Sequence, residues 1–346
     1  MKTEVIQTIR QEDAGTTLGA QLLQNGELVA FPTETVYGLG ANGMDGEAVD
    51  RIFEAKGRPN DNPLIMHIAK KSDVKLLWAH VPKLANILMD TFWPGPLTLI
   101  FNKADEVPYE VTAGLETVAV RMPSDKTARL LIQKAGVPIA APSANRSGRP
   151  SPTTAEHVLA DMDGRIPLIL DGGPCRYGVE STVLSLMGTP TILRPGAVTK
   201  EMLAAVLGEV ALAPSILQPL AAGEKAASPG MKYKHYAPTA QVLVVVGEAR
   251  AAAERLSALC DELTSRGRRV AIAATAEALP YYGDRRTALM GTRQDPATLC
   301  SRLFGLLREL DREADVILCE GVGTEGTGLA FMNRLLRSAG FRVEYL

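Results

Sequence analysis

Lysine vanishes from this chain partway along. Thirteen lysines precede Gln241 and none follows it, whereas ten arginines precede it and fourteen follow. All four histidines also lie before Gln241. A single core drawn from one compositional pool does not exchange its cations so sharply, so the chain reads as two separately built units. Length agrees, because 346 residues exceed what one ordinary core accommodates. The first unit is expected over 1–210 and the second over 241–346. Between them, 211–240 is rich in Ala, Pro and Gly without sustained periodicity, as linkers are. Its last part, Ser228 to Pro238, gathers two Tyr, two Lys and one His, side chains for which a plain spacer has no use. That segment is expected to dock on something.

The first unit carries more strand signals than helix signals, which predicts a twisted mixed α/β sheet with helices. Strands are expected at Leu28–Phe31, Leu64–Ile68, Thr98–Phe101, Val118–Arg121, Pro138–Ala141, Leu168–Leu170, Thr182–Leu186 and Thr191–Arg194. Helices fit Gly46–Lys56, Val81–Thr91, Lys126–Ala135, Ala155–Met162 and Lys200–Leu207. Gly46–Lys56 carries its own punctuation, with Asp45 as N-cap and Gly57 as the stop. The second unit alternates strand and helix more regularly, which predicts a smaller Rossmann-like α/β domain.

Several function classes drop out. The formal net charge is −2 and only 5% of residues are aromatic, which suits neither a basic nucleic-acid binder nor a base-stacking platform. No P-loop, zinc-protease, EF-hand or nucleophile-elbow motif occurs. Two G-x-G-x-x-G matches begin at Gly38 and Gly321. Both are read as turn signatures, the first for want of a parallel crossover and the second for want of a βαβ continuation and a ribose acid. Cys175, Cys260, Cys300 and Cys319 are scattered, which excludes a zinc ribbon. No signal-peptide pattern opens the chain, and the uncharged run 210–223 is too short to span a bilayer. A cytoplasmic protein with no membrane contact is the expectation.

What remains is a set of polar clusters at strand and helix ends, where α/β sheets place ligands. Pro32–Gly38 sets two hydroxyls and an acid after a buried strand. Lys56 and Arg58 flank a helix stop, with Lys56 also suited simply to complement the helix dipole. Pro142–Gly148 supplies hydroxyl, amide and guanidinium groups together. Arg121 and Arg194 end apolar strands and suit carboxylate or phosphate. His67, inside an apolar strand, reads on its own as a packed core residue. The unit thus offers cations, hydroxyls and amides without a covalent nucleophile, a set that favours a nucleotide and a small zwitterionic partner.

The same clusters resemble a known family. Phe31–Leu39, Lys56-Gly-Arg58, Asp61–Ile65, Trp93–Thr98, Val118–Pro123 and Ala141–Asn145 resemble YrdC in order and spacing. Pro229–Pro238 and the C-terminal unit resemble its long, two-domain form, the L-threonylcarbamoyl-AMP synthases. The resemblance implies that L-threonine, bicarbonate and ATP give threonylcarbamoyl-AMP and pyrophosphate, with Mg²⁺ accompanying ATP. It implies use of the product on the adenosine at position 37 of tRNA, with transient contact to a downstream transferase. It places Thr35, His67, Arg121, Ala141 and Ser181 on threonine. It places Lys56, Arg58, Asn62, Thr117, Ser143, Asn145, Ser151, Arg194 and Tyr236 on ATP, with Lys56 and Arg58 catalytic. The linker is expected to fold back over the active site, with Tyr236 touching nucleotide. The alternative from another class is a double-stranded-RNA or tRNA-binding module without turnover, its basic patch formed by Lys56, Arg58, Arg146 and Arg149.

Overall fold

The computed structural model describes residues 2–218 and 236–346. Among these it forms two compact units. The first takes in 2–147 and 151–216; the second takes in 148–150, 217–218 and 236–346.

The first unit runs β1 (Glu4–Gln7), α1 (Thr8–Gln24), β2 (Val29–Phe31), β3 (Gly38–Asn42), α2 (Gly46–Lys56), β4 (Ile65–His67), α3 (Lys83–Phe92), β5 (Leu97–Asn102) and α4 (Tyr109–Thr112). It continues β6 (Thr117–Arg121), α5 (Lys126–Ala135), β7 (Ile139–Ala140), α6 (Ala155–Met162), β8 (Leu168–Asp171), β9 (Thr182–Ser185), β10 (Thr191–Arg194), α7 (Lys200–Leu207) and β11 (Ala211–Leu212). The eleven strands make one mixed sheet in the order β1-β8-β2-β3-β7-β4-β6-β5-β9-β10-β11. The segment expected to act as linker from 211 thus opens with an edge strand, Ala211 and Leu212 pairing parallel to β10.

Local chemistry explains most boundaries. In α2 the Asp45 side chain accepts from the backbone N–H of Glu47 and Ala48, and Gly57 closes the helix at φ 62°. In α5 the Asp125 side chain accepts from Ala128 N, and Gly136 stops the helix at φ 72°. The sequence offered no sign of β1 or α1. Gly15 and Gly19 weaken the helical signal by about 1 kcal/mol each. They are there for close packing, since a Cβ on Gly19 would meet Leu131 Cδ1 at 2.9 Å and one on Gly15 would meet Ile6 Cγ2 at 3.0 Å. Helices α1 and α5 accordingly bury a cluster of Leu23, Val29, Phe31, Leu131, Ile139 and Leu170.

The second unit runs β12 (Gln241–Val246), α8 (Ala249–Ser265), β13 (Val270–Thr275), β14 (Thr287–Gly291), α9 (Pro296–Leu310), β15 (Val316–Gly321), α10 (Thr327–Ser338) and β16 (Val343–Tyr345). Its sheet, in the order β14-β13-β15-β12-β16, is parallel throughout. The glycine loop after Gly321 does therefore have a βαβ continuation, contrary to the reading above, because β16 pairs parallel with β12. The acid on that strand, Glu344, is engaged by Arg255 at 2.8 Å. At the end of β15, Glu320 is fully buried. It accepts from Thr275 N at 3.0 Å, Thr275 Oγ1 at 2.7 Å, Tyr282 Oη at 2.8 Å and Arg293 Nη2 at 2.9 Å.

Candidate active site

Register alone gathers much of the expected site onto one face of the first unit's sheet. Residues paired across a ladder point to the same side, and so do residues two apart on a strand. His67 pairs with Ile139 on β7 and with Arg121 on β6. Arg121 pairs with Thr98, Thr98 with Val183, and Val183 with Arg194. Phe31 pairs with Gly38, two residues from Gly40 and four from Asn42, which pairs with Ile139. Toward β1 this face is the one covered by α1 and α5. Across β4, β6, β5 and β9 it holds a small apolar cluster of Ile65, Ile100, Ala119 and Val183. The glycines at 38 and 40 serve this packing rather than a phosphate loop. A Cβ on Gly40 would stand 2.8 Å from both the Phe31 ring and Ile139 Cγ2.

One pole of the site centres on Arg121, which is 3% exposed. Its Nη1 donates to Thr35 Oγ1 at 2.9 Å and its Nε to the Gly95 carbonyl at 3.3 Å. Its Nη2 lies 2.7 Å from Glu34 Oε1 in a buried ion pair. Burial, the largest single influence, works to raise the Glu34 carboxyl, but the charge of Arg121 together with hydrogen bonding from Arg121 and from the Glu34 and Ser124 backbone holds the group below its usual range. The Thr33 hydroxyl pins this loop, donating to Val36 O and accepting from Thr35 N. His67 Nδ1 lies 3.0 Å from the Ile65 carbonyl, which assigns the proton to Nδ1 and leaves Nε2 as an acceptor. Burial, and then the Arg121 charge, push the imidazole down to about 3, so it is neutral at physiological pH. Nearby, Ser181 Oγ shares a hydrogen bond with Thr98 Oγ1 at 2.7 Å and accepts from Arg194 Nη2 at 3.2 Å. Ala141 follows β7 and donates its N–H to the Ile65 carbonyl at 3.0 Å.

A second pole lies at the other end of the same strands. Lys56 is buried, and its Nζ donates to the carbonyls of Ser143 and Asn145. Burial, and then the Arg58 charge, depress its ammonium well below the usual lysine range. This replaces the helix-dipole reading, since the amine reaches across to another loop. Ser143 Oγ donates to Asn145 Oδ1 at 2.5 Å. Arg58 Nη2 donates to the Asn62 carbonyl at 2.9 Å, and its guanidinium lies 5.6 Å from the centroid of the Phe53 ring. Asn62 stands three residues before β4, and Thr117 opens β6, which runs parallel to β4. Both therefore sit at the strand ends away from His67 and Arg121. The span from Thr117 to Arg121 is about 13 Å at strand rise.

The structure brings Lys56, Ser143 and Asn145 into direct contact, and likewise Thr35 with Arg121 and Ser181 with Arg194. Ser151 stands apart from these contacts, its hydroxyl donating to Glu180 Oε1 at 2.5 Å. Tyr236 belongs to the second unit, where its ring lies 5.1 Å from that of Phe304, at a φ of 63°. The linker proposed to cover the site falls largely on 219–235, outside the described residues. Sequence reasoning did not assign Glu34, Thr98 or Glu180. Glu34 alone had a signal, as an acid between two threonines after a buried strand. Thr98 and Glu180 acquire their partners only through the fold.

Comparison with known proteins accords with this geometry. The Sua5_yciO_yrdC family profile, described as telomere recombination, matches residues 21–196. A second, described as threonylcarbamoyl-AMP synthase, C-terminal domain, matches residues 198–340. The threonylcarbamoyl-AMP synthase of Bacillus subtilis is 48% identical over 98% of this chain and 97% of its own. That of Pyrococcus abyssi is 46% identical over 96% of each. The crystal structure of Pyrococcus abyssi Sua5 complexed with L-threonine superposes with a TM-score of 0.90 at 44% identity, over 96% of both chains. With both profiles matched in sequence order and full-length relatives at this identity, the chain belongs to the Sua5/YciO/YrdC family in its two-domain, threonylcarbamoyl-AMP synthase form.

Proposed function

We propose that the protein is a nucleotidyltransferase that forms L-threonylcarbamoyl-AMP and pyrophosphate from L-threonine, bicarbonate and ATP. The observation that carries this reading is the pair of poles at opposite ends of the same strands, one built on Arg121 and His67 and the other on Lys56 and Arg58. The full-length likeness to named synthases, one of them crystallised with L-threonine, supports it.

Threonine's amine and bicarbonate give a carbamate and water. A carbamate oxygen then attacks the α-phosphorus of ATP in line, and pyrophosphate leaves. This displacement asks the protein for alignment and charge neutralisation rather than for a nucleophile. In this reading Arg121 and Ser181 hold the threonine carboxylate, the neutral Nε2 of His67 accepts the threonine hydroxyl, and Thr35 and Ala141 close the pocket. Lys56 and Arg58 neutralise phosphate charge, while Asn62, Thr117, Ser143, Asn145, Ser151, Arg194 and Tyr236 serve the nucleotide. The described residues hold no cluster of three or more His, Cys, Asp or Glu placed to hold a metal. Mg²⁺ would accompany the triphosphate rather than a protein cage, and would supply further charge neutralisation there. The product would serve tRNA modification through a downstream transferase in the cytoplasm. No helix among the described residues is long and apolar enough to cross a membrane.

The test is pyrophosphate release from ATP by the full chain. Release is expected only with L-threonine and bicarbonate both present, and release indifferent to threonine would sink the reading. The RNA-binding alternative is not favoured. Its central cation, Lys56, is 4% exposed and engaged with two carbonyls, so it contributes nothing to a surface patch.

A further inference from the structure

Around Arg121 the polar groups are not equally satisfied. Thr35 Oγ1 accepts from Arg121, the Thr33 hydroxyl is engaged within its own loop, and Asp125 caps α5 through Ala128 N. Glu34 differs. Its side chain is 6% exposed, and although Arg121 and the backbone N–H groups of Glu34 and Ser124 lie near the carboxylate, none is well aligned with either oxygen. Arg121 Nη2 likewise lacks an aligned acceptor, although it lies 2.7 Å from Glu34 Oε1. A buried ion pair whose lone pairs and N–H groups are poorly aligned with their partners is a costly arrangement. It becomes favourable once a ligand supplies donors to the carboxylate and an acceptor to the guanidinium. An α-amino acid does both, because its ammonium and carboxylate are attached to the same carbon.

We propose that Glu34 accepts hydrogen bonds from the α-amino group of the substrate, so that Glu34 and Arg121 together read a free amino acid as a zwitterion. This rests on the threonine-dependent reading above and adds a binding residue to it. Glu34 is suited to that role by position. Its own backbone carbonyl is fixed by Tyr177 N at 2.9 Å, and the loop on either side is pinned by Thr33 and Thr35. The carboxylate is therefore held in place before substrate arrives. An amine held there is oriented for bicarbonate, and a hydroxy acid offers Glu34 a single neutral O–H donor where the amine offers stronger, charge-assisted ones.

The test compares binding of L-threonine with that of 2,3-dihydroxybutanoate, in which a hydroxyl replaces the amine, by titration calorimetry on the full chain. The wild-type protein is expected to favour threonine by about 10- to 100-fold, the range for a hydrogen bond to a charged group. Glu34→Gln should lose that preference by weakening threonine while leaving the analogue unchanged or tighter. Equal binding of the two ligands by the wild type overturns the proposal, and this arm needs no variant to fold. Equal weakening of both ligands in Glu34→Gln also overturns it, since Glu34 would then merely hold Arg121. Threonine-dependent pyrophosphate release accompanied by either of these outcomes removes Glu34 alone. Absence of threonine binding and of threonine-dependent release removes the functional reading with it.

Discussion

Two buried ionisable groups at the active site are shifted the same way, by burial and then by a neighbouring arginine, and each makes a checkable statement. Lys56 spends two of its N–H groups on the Ser143 and Asn145 carbonyls while burial and Arg58 oppose its charge. Lys56→Met keeps the stem and removes the charge. It should cut kcat/KM for ATP by about 100-fold or more, the scale of one lost electrostatic donor, and circular dichroism should show an intact fold. His67, pushed down to about 3, presents Nε2 as an acceptor. His67→Leu should erase most of the preference for threonine over 2-aminobutyrate, by at least about 10-fold in kcat/KM, because only threonine offers the hydroxyl. Asp125 runs the other way: burial raises its carboxyl to about 6 against a free value of 3.8. The folded state then binds a proton that the unfolded state has released, so stability falls as pH rises through that window. Asp125→Asn retains a capping acceptor without the charge. It should melt higher than wild type near pH 7, by the equivalent of about 3 kcal/mol, with the gap closing as pH falls toward about 4. A gap independent of pH would contradict the burial argument. His67 titrates with the opposite sign, since the unfolded chain takes a proton below 6.5 that the fold refuses down to about 3.

At the scale of elements, the strands that build the site are legible wherever their own residues decide the matter. The helix α2 could be read with its cap and stop because Asp45 and Gly57 stand beside it in the chain. The helix α1 could not, because its glycines face Leu131 and Leu170, which no local window contains. The site follows the same rule. Lys56, Arg58 and Arg121 were visible as cations at element ends, and His67 was placed on the substrate only by family resemblance. The partner of Glu34 is 87 residues away, and Thr98 joins the site because β5 pairs antiparallel with β6. The Gly40 position ties element to site. Gly40→Ala drives a methyl into Phe31 and Ile139, at a cost of about 1–3 kcal/mol in chemical unfolding. It should also weaken threonine binding, since the Phe31 ring stands edge-on to His67 at 6.1 Å.

For the molecule as a whole, the two sheets share no strand, and each unit has its own buried ionic group. Glu320 belongs to the second unit, with Thr275, Tyr282 and Arg293 all committed to it. Glu320→Ala leaves the Arg293 guanidinium and two hydroxyls facing a void, a loss of about 3–5 kcal/mol. Calorimetry should show a transition assigned to the second unit moving down while threonine binding to the first persists. A uniform collapse of both would show that the units do not unfold separately. The absence of lysine that first divided the chain has an outcome of another kind. The last lysine is Lys234, and the second unit's own elements begin at Gln241. Every cation on those elements is therefore an arginine, which stays charged where lysine can lose its proton and offers no primary amine to acylation or ubiquitination. Amine-directed modification, whether by a cell or by a chemist's cross-linker, falls wholly on residues 1–234, and cleavage after lysine releases 235–346 in one piece.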